Sequence, residues 1–491
     1  MATAFGARAR LTRGALTTVA ALAAGVRAAA AQDRLPADLV HRLVAAQQAV
    51  ADVGMRRDGT AWPGFRPDTI PVLYVVPGRG SVLVNWPAAL PEGFLPLDRV
   101  SHAGVLHDAA RGAASTNVIL GERATAQVST DGSEPLIDLI ALTAHEAFHV
   151  FEGGVRREGL RFAAGENSFL VTRYPVFDAL NDAGMALEGH LLAAALAAAS
   201  DAAAQGLARQ FLAERFARHR RLAPEIAEFE TLAELHEGMA EYAGYKVSQS
   251  ATGTDRTPEI VRNLQTLTED MVRSIRLRYY VTGPGLAYLL DRLGGTEWKT
   301  RLVAENWTLQ DALAHTVGYY DAETALREDA ARRFGGNGLA DAARASVDRL
   351  RSLRQSQVDS LLAGAGLVVE IAGDRLSRIG LCGIDPQNLL QVAPGVFLHT
   401  RWVQPCAGAA LRSEFNAPVI EDRGSLTLRA AVSDTTTPTL TAGGAPLTLV
   451  AGQAVTDVRD LLIEHPAFTV RSARADLLLE GRRIIVRPHP E

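Results

Sequence analysis

His145 and His149 stand four residues apart in the run His145-Glu146-Ala147-Phe148-His149. On a helix that spacing stacks both imidazoles on one face, one turn apart. Two neutral imidazoles placed in this way can share one zinc ion at about 2.0–2.1 Å. Glu146 follows the first histidine and points beside such a metal. There a carboxylate can take a proton from metal-bound water and later return it to a leaving amine. An accidental HExxH in a chain of this composition has a chance of roughly 1–2%. The bland alternative, a core or surface helix with two ordinary histidines, is therefore the weaker reading. The apolar run Leu136-Ile137-Asp138-Leu139-Ile140-Ala141-Leu142 supports a buried helix ahead of the motif, and Ser133-Glu134-Pro135 makes a sensible start.

A catalytic zinc site needs a third protein ligand and leaves the fourth position for water. A second segment, Leu235-His236-Glu237-Gly238-Met239-Ala240-Glu241-Tyr242, carries acidic candidates. With HExxH and this Glu-Gly-x-Ala pattern, the chain resembles the gluzincin metallopeptidases, the thermolysin-like and aminopeptidase-like group. The resemblance covers the stretch from about 133 to 293 and implies one zinc per chain, with Glu237 as third ligand. Gly238 would let two helices approach closely. Glu241 lies on the same face as Glu237. It could orient a ligand histidine by hydrogen bonding, or be a solvated carboxylate. The 88-residue interval between His149 and Glu237 is much longer than the family's, near twenty, so inserted helices must fill it. Glu188, in Ala186-Leu187-Glu188-Gly189-His190, is closer and stands as the rival ligand; otherwise it is a polar contact between helices. His190 and His236 are expected to line a pocket or the surface. Glu152 and Gly153-Gly154 are expected to end the motif helix.

The resemblance also supplies a tyrosine. Aminopeptidase-like gluzincins carry Tyr-x-x-Gly entering a helix, and Tyr280 with Gly283 matches it in Arg278-Tyr279-Tyr280-Val281-Thr282-Gly283-Pro284-Gly285. A phenol there would steady the oxyanion of a tetrahedral intermediate. Tyr279 is the fallback, and a half-buried packing role the alternative. No Gly-x-Met-Glu-Asn element precedes HExxH, and Gly165-Glu166-Asn167 comes after it, so exopeptidase specificity is not implied. No third histidine follows His149 at the metzincin spacing.

These residues must be positioned by surrounding elements. The pattern predicts an α+β chain with a small β-rich N-terminal part on a mainly helical gluzincin-like catalytic domain, then a C-terminal β-sandwich or barrel. A helix is expected over 36–53, a hairpin over 72–76 and 82–84, and a strand pair near 117–120 and 124–129. The edge strand of that sheet, taken as 124–129, would hold an extended substrate by backbone pairing. Helices are expected at 134–152, 177–204, 207–221, 223–250, 258–276, 285–293, 309–316 and 339–362. Gly364-Ala365-Gly366 breaks the last one. Short strands follow at 367–371, 396–403, 425–432, 447–450, 477–480 and 482–487. Domain boundaries are expected at 1–31, 32–132, 133–363 and 364–491.

The 491 residues suggest two or three domains, and 47% apolar content supplies their cores. A formal net charge of −5 without a basic stripe argues against a nucleic-acid partner. Residues 1–31 read as a secretory signal: Arg8, Arg10 and Arg13, an apolar stretch over 14–26, then Ala29-Ala30-Ala31 before Gln32. Export to a periplasm or the exterior follows, with no membrane insertion once the signal is removed. Cys382 and Cys406, the only two cysteines, suggest a disulfide. A peptide or protein is the expected substrate. The other classes that remain are a catalytically inactive cell-envelope scaffold retaining the fold, with the β domain as its adhesive part, and a zinc hydrolase of non-peptide amides or esters. The partner of the β domain is not legible.

Overall fold

Pro77-Gly78-Arg79 forces the first turn. Val72–Val76 (β1) and Gly80–Val84 (β2) pair antiparallel, with Val76 opposite Gly80. Gly78 takes φ 74°, a setting that costs a glycine little. The computed structural model describes residues 35–57, 61–97, 103–106, 116–267, 275–385 and 388–490. The leader expected at 1–31 lies outside them. No helix among the described residues is long and apolar enough to cross a membrane. The chain is α+β, with a helical region followed by a C-terminal β domain.

Contacts group the chain into two units, Met1–Gly154 with Ala243–Thr254, and Val155–Tyr242 with Asp255–Glu491. The first holds helix α1 (Ala37–Arg56) and a six-stranded sheet in the order β3-β4-β2-β1-β6-β5. Here β3 is Leu95–Pro96, β4 Gly104–Leu106, β5 Thr116–Leu120 and β6 Arg123–Ser129. The strand expected at the edge is interior. β6 runs parallel to β1, with Val72 opposite Ala126, and antiparallel to β5. Ala126 and Val128 are fully buried, whereas Ile119 of β5 is 72% exposed. Parallel pairing with β1 on one side and antiparallel pairing with β5 on the other place β6 inside and leave β5 at the edge.

Helix α2 (Leu136–Val155) is anchored to this sheet by its apolar face. Tyr74 Oη and Thr143 Oγ1 lie 2.8 Å apart, both buried. Phe148 is fully buried, with ring centroids of Trp62 at 5.9 Å, Phe65 at 5.2 Å and Phe151 at 5.5 Å. The Trp62 and Phe65 contacts are edge-on and the Phe151 contact is tilted, and together they hold the helix about its own axis as well as along it.

The second unit contains α3 (Ala179–Leu196), α4 (Asp201–His219) and α5 (Pro224–Ala233), which continues through a π-helical turn, Glu234–Gly238, into α6 (Met239–Thr252), whose residues from Ala243 on belong to the first unit. Next come α7 (Thr257–Gln265), α8 (Tyr279–Gly294), α9 (Glu297–Ala304), α10 (Leu309–Val317), α11 (Thr324–Arg333) and α12 (Gly336–Gly364). The single helix expected over 177–204 is two, because Ser200 caps α4 by accepting from the Ala203 amide. Helix α8 begins six residues before the expected 285. Pro284 sits inside it, at a position where proline removes one bond without ending the helix. Helices α9 and α11 were not anticipated.

The C-terminal strands, β7 (Leu367–Ala372) to β19 (Arg483–Pro488) in chain order, form one curled thirteen-stranded sheet, a half-barrel. Its long hairpin, β17 (Ala454–His465) and β18 (Phe468–Glu480), alternates buried and exposed positions. Val369, Phe415, Val419, Ile463, Val470 and Val486 line its core. The strand expected at 396–403 is split into β10 (Val396–His399) and β11 (Val403–Ala407), and residues 447–450 form no strand. Arg482 closes α12 by donating to the carbonyls of Leu362 at 2.9 Å and Ala365 at 2.6 Å. Cys382 on β8 (Gly380–Ile384) and Cys406 on β11 are joined, with Cα atoms 5.9 Å apart across a separation of 24 residues. Replacing both cysteines with serine is expected to lower the stability of the β domain by about 3 kcal/mol. Amide exchange in β8 and β11 should quicken while α2 stays as it was; unchanged exchange in all three contradicts this.

Candidate metal centre

The motif helix buries its polar face. His145 and Glu146 are each 4% exposed and His149 is 7% exposed. The two Nε2 atoms lie 3.1 Å apart, with the rings at 79°. Zinc–imidazole bonds of about 2.0–2.1 Å closing that gap would subtend about 100°, close to tetrahedral. Nδ1 of His149 lies 2.9 Å from Oε2 of Glu152. A proton on Nδ1 facing the carboxylate leaves the Nε2 lone pair for a metal. Glu152 was expected only to help end the helix, yet α2 runs on to Val155 and Glu152 is 2% exposed. Its spacing of three residues from His149 is the signal the sequence offers.

The carboxylate arrives on a second helix. Gly244 of α6 packs on α2, where a Cβ would fall 2.6 Å from the carbonyl oxygen of Ala141. That contact excludes any side chain at 244 and sets the docking of α6. The same helix, followed back through Met239, carries Glu237. Ligand atoms of His145, His149 and Glu237 all lie within 4.8 Å of one another. A further grouping joins His149 and Glu152 with His236. Gly238 does not serve the approach to α2. A Cβ there would lie 2.7 Å from Cα of Gly283, so the close passage is with α8.

The π turn is pinned from behind. Both oxygens of Glu234 accept from Arg215, at 3.0 Å each, and Oε1 accepts from Thr282 Oγ1 at 2.6 Å. A π turn inserts a residue into the helical ladder and so redirects the side chains beside it. Glu237 is 5% exposed and is ion-paired with Arg276, which also meets Glu166. Burial pushes the Glu166 carboxyl up; Arg276 opposes this and the charge of Glu237 adds to it. His236 Nε2 stands 4.0 Å from Glu237 Oε1.

The other candidates fall in identifiable places. Glu188 is fully buried, and its oxygens accept from Arg215 Nε and Arg218 Nε at 2.6 Å each. Burial raises its pKa, but the two guanidinium groups outweigh that and hold it below the usual range. It is the polar contact between helices, and a metal there would have to displace two cations. His190 rests on the ring of Phe334 at 6.3 Å. Glu241 is half-buried on α6, one turn beyond Glu237. Tyr280 is half-buried in the first turn of α8, close enough to Arg276 to act on its charge. Tyr279, the fallback, is fully buried edge-on to Phe229 at 5.9 Å and packs as core.

Glu188→Gln is expected to destabilise the protein by on the order of 3 kcal/mol, because it strands buried guanidinium charge. The folded variant should still bind one zinc, whereas folded Glu237→Gln should lose it; the reverse pattern in a zinc titration would exchange their roles. The network also fixes a pH response. Burial raises Glu230, but Arg218 and His219 hold it well below its usual 4.5. Its contribution is present above about pH 4.5 and is lost as pH falls through the lower folded value. A urea midpoint that declines below pH 4.5 in the wild type, and less steeply in Glu230→Gln, is the expected result.

No known protein family, curated protein or solved structure matches this chain.

Proposed function

We propose that the chain is a zinc-dependent metallopeptidase, with His145, His149 and Glu237 as ligands of one zinc ion and Glu146 as general base and acid. The observation that carries the reading is the pair of buried Nε2 atoms at 3.1 Å, with the carboxylate of Glu237 in the same 4.8 Å group. A neutral His149 tautomer is favoured by its bond to Glu152. When bound, zinc polarises a scissile carbonyl and acidifies a water. Glu146 takes the proton of the attacking water and delivers it to the leaving nitrogen, so that protons balance over the cycle. Its burial keeps that proton from being lost to bulk solvent. The Tyr280 phenol donates to the oxyanion that develops on the carbonyl, and Glu241 accepts a hydrogen bond from a ligand histidine. An extended peptide would add to the edge strand β5 by backbone pairing.

Export belongs to the same reading. The leader at 1–31 would take the chain to a periplasm or the exterior, where the Cys382–Cys406 bond persists.

Glu146→Gln is expected to retain one zinc per chain while peptide hydrolysis falls by at least about 100-fold. Metal analysis and a peptide-library digest measure both. Wild-type turnover in the variant contradicts the mechanism, and zinc without cleavage of any peptide by the wild type favours an inactive scaffold.

A further inference from the structure

Arg276 precedes α8 and meets two acidic side chains at once. Its Nε pairs with Oε1 of Glu166 and its Nη2 with Oε1 of Glu237. Nε and Nη2 form one edge of the guanidinium plane, the edge that ordinarily grips both oxygens of a single carboxylate. Here the fork is split: Nη2 donates to Glu237, while Nε stands in ion-pair contact with Glu166. Each carboxylate therefore keeps its second oxygen outside the fork. The side chains of Glu166 and Glu237 are 4% and 6% exposed, and that of Arg276 is 25% exposed, so solvent screens these contacts little. Glu166 lies in irregular chain, where no helix or sheet requires a carboxylate. Its charge offsets that of Arg276, so the guanidinium does not leave net positive charge beside a cation site.

We propose that Arg276, braced by Glu166, is a positioning residue that holds Oε1 of Glu237 and thereby presents the other oxygen alone to the metal. The proposal rests on the metal-site reading above. A glutamate ligating through both oxygens would fill the fourth position, which catalytic zinc keeps for water or substrate. A guanidinium fixed on one oxygen prevents that closure. The planar fork carries the effect, so charge alone does not replace it.

The test uses the full chain loaded with cobalt(II), whose visible absorption weakens when coordination rises from four to five. Arg276→Met removes the fork, Arg276→Lys keeps the charge without it, and Glu166→Gln removes the brace. Each variant should bind one cobalt ion but lose about half or more of the band intensity, with thermal midpoints of the metal-free proteins showing that each is folded. An unchanged band in folded, metal-loaded Arg276→Met overturns the proposal, as does a wild-type band in Arg276→Lys, which would reduce the role of Arg276 to charge. Should Arg276→Met not fold, Arg276→Lys and Glu166→Gln decide in the same way. A wild-type chain that binds neither cobalt nor zinc would instead remove the metal site itself, and the positioning role with it.

Discussion

Two imidazole nitrogens held 3.1 Å apart on a buried helix face impose a demand that the surrounding chain has to answer. Burying polar rings without partners is costly, by about 1–3 kcal/mol for each unsatisfied group. Glu152 answers for Nδ1 of His149. The apolar side of α2 is fixed by Phe148 among Trp62, Phe65 and Phe151, so the opposite side has little freedom to rotate away. The contact of Gly244 with Ala141 then sets where α6 packs on α2.

The second constraint is electrostatic. Arg215 and Arg218 are fully buried, and Glu188, Glu230 and Glu234 surround them. Replacing such a network with apolar side chains is often neutral for stability, whereas breaking one member is not. Its value here is positional. Glu234 is tied to Arg215 and to Thr282 of α8, and it lies three residues before Glu237 on the π turn. Glycines at 238 and 283 let the turn and α8 touch backbone to backbone. The Glu237 segment of this π turn is thus held from behind by charge and from the side by the absence of side chains.

Much of this was legible in the residues and some was not. HExxH announced its helix and its face because periodicity and spacing are local properties. The break at Gly364, the hairpin at Gly78 and the α+β order were legible for the same reason. Glu188 and Glu237 could not be separated by sequence, because what separates them is the pair of buried arginines at 215 and 218, brought in by tertiary packing. The start of α8 is not legible because Gly283-Pro284-Gly285 reads as a loop, whereas Gly283 packs against the π turn and Gly285 against Leu264 of α7. The interior place of β6 depends on parallel pairing with β1, a contact about fifty residues away in sequence that no local pattern encodes.

Zinc-loaded crystals and an anomalous-scattering map at the zinc edge would locate the ion itself. One peak is expected within bonding distance of Nε2 of His145, Nε2 of His149 and a single carboxylate oxygen of Glu237. No peak between the two histidines, or a peak completed by any other carboxylate, would contradict this.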